Sequence, residues 1–145
     1  MADPLSITAG VVGIVTAALQ ATGRFAADLQ RLSEAPATIE SLKQDIAVLA
    51  GTLKALAGLE GAQWKALGTT VTEQSKATVA SCTVSCDKYM ADLQRWTRHS
   101  SPGRGVAVRD RLALALWRES QVKNMSEQLQ KYRTTLNLVI STAAL

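Results

Sequence analysis

The sequence predicts an all-α fold, an antiparallel four-helix bundle, on three observations. Apolar residues recur at alternating steps of three and four along most of the 145-residue chain, the spacing of one helix face. Alanine and leucine abound, aromatic side chains are scarce, and only Pro4, Pro36 and Pro102 interrupt the run, a composition that favours helix. No stretch alternates apolar and polar residues with the period of two that a half-buried strand requires. Four amphipathic segments with mostly short connections close best as a bundle. One domain over residues 1–145 is long enough to bury about two-thirds of its unfolded surface.

The first helix is placed at about residues 4–32. Asp3 can cap it, and Pro4 suits a first turn, where its missing N–H costs nothing. No side chain from Pro4 through Gly23 ionises, so this rod, about 30 Å long, needs shelter in protein or in lipid. Ile7, Val11, Ile14, Ala18, Ala21 and Phe25 mark one face, and Val12, Val15 and Leu19 lie off it. Ala9, Gly13, Ala17 and Ala21 form a small-residue ridge that a neighbouring helix can approach closely. A central helix enclosed by three companions is the expected arrangement. Ser6, Thr8, Thr16, Gln20 and Thr22, with no flanking Trp or Tyr, speak against a permanent transmembrane span. Release of Leu5, Ile7, Val11, Val12, Ile14, Val15 and Leu19 into lipid on activation is the other use such a helix can have.

The second helix, about 37–58, follows Pro36 and carries the clearest seam: Ile39, Leu42, Ile46, Leu49, Leu53 and Leu56. Gly58 and Gly61 end it. Residues 60–77 carry no decisive pattern, and a short extra helix fits between the second and third. The third, about 75–99, is marked by Cys82, Cys86, Tyr89, Leu93 and Trp96. The run Ser100-Ser101-Pro102-Gly103-Arg104-Gly105 is a loop. The fourth helix, about 106–143, bears Val122, Met125, Leu129, Tyr132, Leu136, Val139 and Ala143 on one seam.

Charge is uneven. Seven basic and nine acidic residues precede Arg95, giving −2, whereas nine basic and three acidic residues follow from it, giving +6 and the total of +4. Arg95, Arg98, Arg104, Arg109 and Arg111, with His99, crowd around the third connection. In an up-down bundle that end also holds Arg31. This is a candidate patch for anionic lipid headgroups or an acidic partner. Nucleic acid is not expected, because the loop lacks aromatic residues to stack on bases.

Catalytic chemistry is not expected either. One histidine, His99, has no evident partners, and carboxylates are scattered along helix surfaces. Cys82 and Cys86, one turn apart, cannot complete a structural zinc site with so little else, and read as buried thiols. Gly58-Leu59-Glu60-Gly61 lacks the Lys and Ser/Thr of a phosphate-cradling loop. No cofactor, metal or small-molecule substrate is expected. Two cysteines and no convincing secretory signal suit the cytoplasm.

The opening Met1-Ala-Asp-Pro-Leu-Ser-Ile7, the Ala35-Pro36-Ala-Thr-Ile39-Glu40-Ser-Leu42 run into the leucine seam, the Cys82-to-Leu93 stretch, Trp117 and Leu129 to Leu136 together resemble a known group. They are similar to the fungal HeLo-like N-terminal domains of STAND (NLR-like) and ankyrin-repeat proteins, including the azaphilone-cluster protein L N-terminal family. The resemblance covers nearly the whole chain. It implies a cytosolic, non-enzymatic helical signalling module that works through bundle association, in some relatives as a cell-death effector whose N-terminal helix attacks membranes. Such domains precede a nucleotide-binding or repeat region, so a chain stopping at Leu145 is an excised domain or a stand-alone bundle under a separate partner. Two uses follow: a membrane-recruited effector that exposes its first helix, or an adaptor that self-associates or docks a protein partner.

Overall fold

A computed structural model describes residues 4–32, 35–98, 107, 110 and 118–145 of the chain. It is all-helical, with no strand among the described residues. The helices are α1 (Pro4–Gln30), α2 (Ala37–Ala57), α3 (Gly61–Leu67), α4 (Thr69–Trp96) and α5 (Glu119–Ala143). The fourth predicted helix, expected unbroken from about 106 to 143, is interrupted at Arg118, whose φ of −118° and ψ of 0° leave the helical region, and runs from Glu119 to Ala143. Its expected start near 106, the loop at 100–105, His99, Trp117 and the capping Asp3 lie outside the described residues.

The predicted seams are the core. Ile39, Leu42, Ile46, Leu49, Leu53 and Leu56 of α2 are all buried. They meet Val11, Val15, Ala18, Ala21, Phe25 and Leu29 of α1, together with Val122, Met125, Leu129 and Leu136 of α5. The segment at 60–77 is helical. Glu60 and Gln63 cap α3 reciprocally, the Glu60 N–H donating to Gln63 Oε1 at 2.8 Å, and Trp64 is buried beneath it. Gly68 joins α3 to α4 at φ 93°, a left-handed conformation that a side chain would strain.

α4 begins at Thr69, six residues before the expected start. Its seam extends backward through Val79, Ser75 and Thr72, and these two hydroxyl residues are buried. Each hydroxyl donates to the carbonyl four residues earlier, Thr72 to Gly68 at 2.9 Å and Ser75 to Val71 at 2.8 Å, so neither is left unmet in the core.

α1 packs on α2 and α4, α5 packs on the same two helices, and α3 touches α1, α4 and α5. α4 and α5 run in opposite directions: Trp96 meets Arg118 near one end, while Ser85 meets Tyr132 at 2.7 Å further along. The α1/α4 seam departs from the antiparallel expectation. Lys76 lies beside Gly10, Arg24 bonds Asp87, and Gln94 bonds Asp28, so both helices advance in the same sense. One end of the molecule therefore gathers the C-termini of α1 and α4 with the N-termini of α2 and α5. The other gathers α3, the start of α1 and the end of α5, where Gln63 Nε2 donates to the Ala143 carbonyl at 3.2 Å.

Candidate functional site

α1 is not enclosed by its companions. Ala9, Val12, Gly13, Thr16, Ala17, Gln20 and Gly23 face solvent, and only 28 % of the helix's most apolar stretch is buried. The small-residue ridge read from the sequence is thus an outer surface over Ala9, Gly13 and Ala17, and only Ala21 is buried. A Cβ added at Gly13 or Gly23 would meet nothing within 4 Å. The cause is the packing square: α1 leans on α2 and α4, and α5 lies beyond them.

The predicted helix-one residues accordingly divide. Val11 and Val15 are core; Ile7, Ile14 and Leu19 are half-buried; Val12 stands 38 % exposed. Leu5 is in the first turn of α1, and its side chain lies outside the described residues. α1 is also the one described helix long and apolar enough to cross a membrane, over Ser6–Gln30. An exposed helix face ordinarily carries charge. This one carries none before Arg24.

The second region is the charged end. Arg95 is exposed in the last turn of α4 and pairs with Asp92 at 2.8 Å; Arg98 is exposed just beyond. Arg104, Arg109 and Arg111 lie outside the described residues. Arg31 pairs with Asp28 at 3.4 Å at this same end.

The structure adds partners that the sequence did not single out. A polar groove of about 470 Å³ runs between the end of α4 and the start of α5, lined by Lys88, Asp92, Arg95, Arg118, Gln121 and Asn124 around Trp96. The Arg118 guanidinium sits over the Trp96 ring, 5.3 Å from its centroid. Trp96 itself is 8 % exposed, and its indole Nε1 is shut from solvent with no acceptor among the described residues. A buried donor left unmet costs about 1–3 kcal/mol. The available sequence signal was the i, i+4, i+7 spacing of Lys88, Asp92 and Arg95, which sets them on one face of α4.

Cys82 and Cys86 are buried in the α4 seam, and burial pushes both thiols up to about 12, Cys82 further raised by its neighbour Cys86 and Cys86 by the Asp87 carboxylate. Such thiols stay protonated and unreactive at neutral pH. Burial likewise raises the Tyr89 hydroxyl. No group of three His, Cys, Asp or Glu side chains comes together to hold a metal among the described residues.

A family model described as pigment biosynthesis cluster protein PigL N-terminal matches residues 2–145. No curated protein and no solved structure matches the chain. The chain belongs to that PigL N-terminal family.

Proposed function

From that membership, we propose that this is a non-enzymatic helical signalling module that associates through the outer face of α1. In this reading the four long helices close as one bundle, with α1 as its most loosely covered member. The observation that carries it is the uncharged, solvent-facing stripe of Val12, Gly13, Thr16 and Ala17 on a helix whose opposite side builds the core. Water-facing helices keep apart through charge, and a face without it favours contact. The occupant is a second helix, from another copy of the chain or from a protein partner, and the domain works in the cytoplasm.

A second reading rests on a separate observation. α1 is long enough to cross lipid, and a cationic end could hold the domain on anionic headgroups while α1 leaves its seat. One pair of variants tests both. Val12→Asp and Ala17→Arg alter exposed positions, so the helical circular dichroism signal is expected to persist. Association appears as a concentration-dependent mass by light scattering that both variants return to monomer. Membrane action appears instead as dye leakage from phosphatidylserine vesicles that both variants abolish. A monomeric protein that releases no dye overturns the proposal in both forms.

A further inference from the structure

The groove between α4 and α5 supports an assignment independent of the α1 reading. Two helices bring three cations to one concavity: Lys88 and Arg95 from α4, and Arg118 from the residue preceding α5. One carboxylate faces them, Asp92, and it is engaged with Arg95 at 2.8 Å. The remaining polar lining, Gln121 and Asn124, offers amide donors. The first turn of α5 adds N–H groups with no side-chain cap, the positive end of a 25-residue helix. Glu119 stands in that turn and is turned to Lys123 at 3.0 Å.

A second kind of observation comes from Trp96. Its ring forms part of the groove wall, yet its N–H has neither solvent nor an acceptor among the described residues. Every other buried side-chain polar atom among the described residues is partnered, Thr38 Oγ1 excepted. A wall that combines net positive charge with amide donors lacks one thing, a group with several acceptor oxygens.

We propose that this groove binds a phosphate-bearing ligand, with Lys88, Arg95 and Arg118 holding its charge and the Trp96 ring forming the wall beside it. A phosphate presents oxygens in three directions, matching cations that arrive from two helices, and Asp92 keeps the Arg95 guanidinium in place. The shared chemistry is the phosphate monoester, which a soluble metabolite or a lipid headgroup can carry.

The test uses the whole chain labelled with nitrogen-15. Its three tryptophans, Trp64, Trp96 and Trp117, each give one indole N–H resonance, and Trp96→Phe identifies the relevant one. Glycerol phosphate is titrated in one arm, and phosphatidylcholine vesicles with or without phosphatidic acid in the other, at constant ionic strength. A saturable shift of the Trp96 resonance with glycerol phosphate, while Trp64 at the opposite end stays still, supports a soluble ligand. Sedimentation only with phosphatidic acid vesicles, with loss of the Trp96 resonance, supports a headgroup. In the arm that responds, Lys88→Gln with Arg118→Gln is expected to weaken binding about tenfold or more, since each removes a charge-assisted contact. If that pair disturbs the fold, Lys88→Gln alone, at an exposed position, makes the same comparison. A Trp96 resonance that ignores both probes, or a variant that binds as tightly as the parent, overturns the assignment. Neither result depends on whether the protein self-associates or releases vesicle dye.

Discussion

The two ends of the molecule share one core and differ in almost everything they show to water. At one end Arg31–Asp28, Lys43–Glu40, Arg95–Asp92 and Lys123–Glu119 ring the helix termini, and Arg24–Asp87 lies further along the α1/α4 seam. At the other, where Lys76–Glu73 is the one ion pair among the described residues, α3, the start of α4 and the end of α5 surround an apolar groove of about 430 Å³ in which Leu67, Val71, Leu138 and Val139 take part and no charged side chain does. The lesson is about encounter rather than stability. Exposed ion pairs are worth about 0–1 kcal/mol each, so they decide what approaches that end more than whether it folds. The leucine seam runs to both ends and holds both.

The largest expected effects come from breaking that shared core. Val15→Asp buries an unpaired carboxylate and is expected to abolish the cooperative thermal transition, whereas Val12→Asp, one turn's face away, is expected to shift stability by only about 0.5 kcal/mol. Equal losses would sink the two-sided description of α1. Next, Leu56→Ala near the apolar end and Leu93→Ala near the charged end are each expected to cost about 2–5 kcal/mol in urea unfolding. A small loss at one of them would mean that the core stops short of that end.

Smaller effects sharpen the contrast. The Cys82 and Cys86 thiols ionise near 9.0 when unfolded and near 12 when folded, so the unfolded chain releases protons first as pH rises. Their contribution is complete below about pH 9 and declines above it, by about 1.4 kcal/mol per pH unit per thiol. Denaturant midpoints of the parent and a Cys82→Ala, Cys86→Ala variant between pH 8 and 10.5 should therefore converge in slope only below pH 9. Gly68→Ala at the apolar end is expected to cost about 1–3 kcal/mol, since φ 93° with ψ 165° is a region essentially reserved for glycine. Arg24→Ala on the α1/α4 seam, removing a half-exposed pair to Asp87 at 3.3 Å, should cost less than about 1 kcal/mol and still less in high salt.

What the sequence made legible was whatever depends on period. The α2 seam could be read residue by residue because Ile39 through Leu56 are large, apolar and regularly spaced, and all are buried. The start of α4 was hidden because Thr72 and Ser75 do a core residue's job with their hydroxyls tied to their own helix, which no hydropathy pattern reveals. The exposure of Ala9, Gly13 and Ala17 was misread for a different reason. Small residues permit close packing but do not compel it, and which neighbour covers α1 is settled by the arrangement of the other helices. Of the residues lining the α4/α5 groove, Arg95 already stood out in the sequence as part of a basic run. Lys88 and Arg118 did not, since they join it only where the end of α4 meets the start of α5.

The same-sense pairing of α1 and α4 has a consequence for how the protein is made. Arg24 waits for Asp87, 63 residues later, and Asp28 for Gln94, 66 residues later. At a ribosomal pace of about 5–20 residues per second, the first helix emerges with its α4-facing side bare for roughly 3–13 seconds. During that interval only α2 and α3 are there to shield it. A nascent chain thus displays its least charged segment before the helix that covers it exists, which makes α1 the natural target of a chaperone at the exit tunnel.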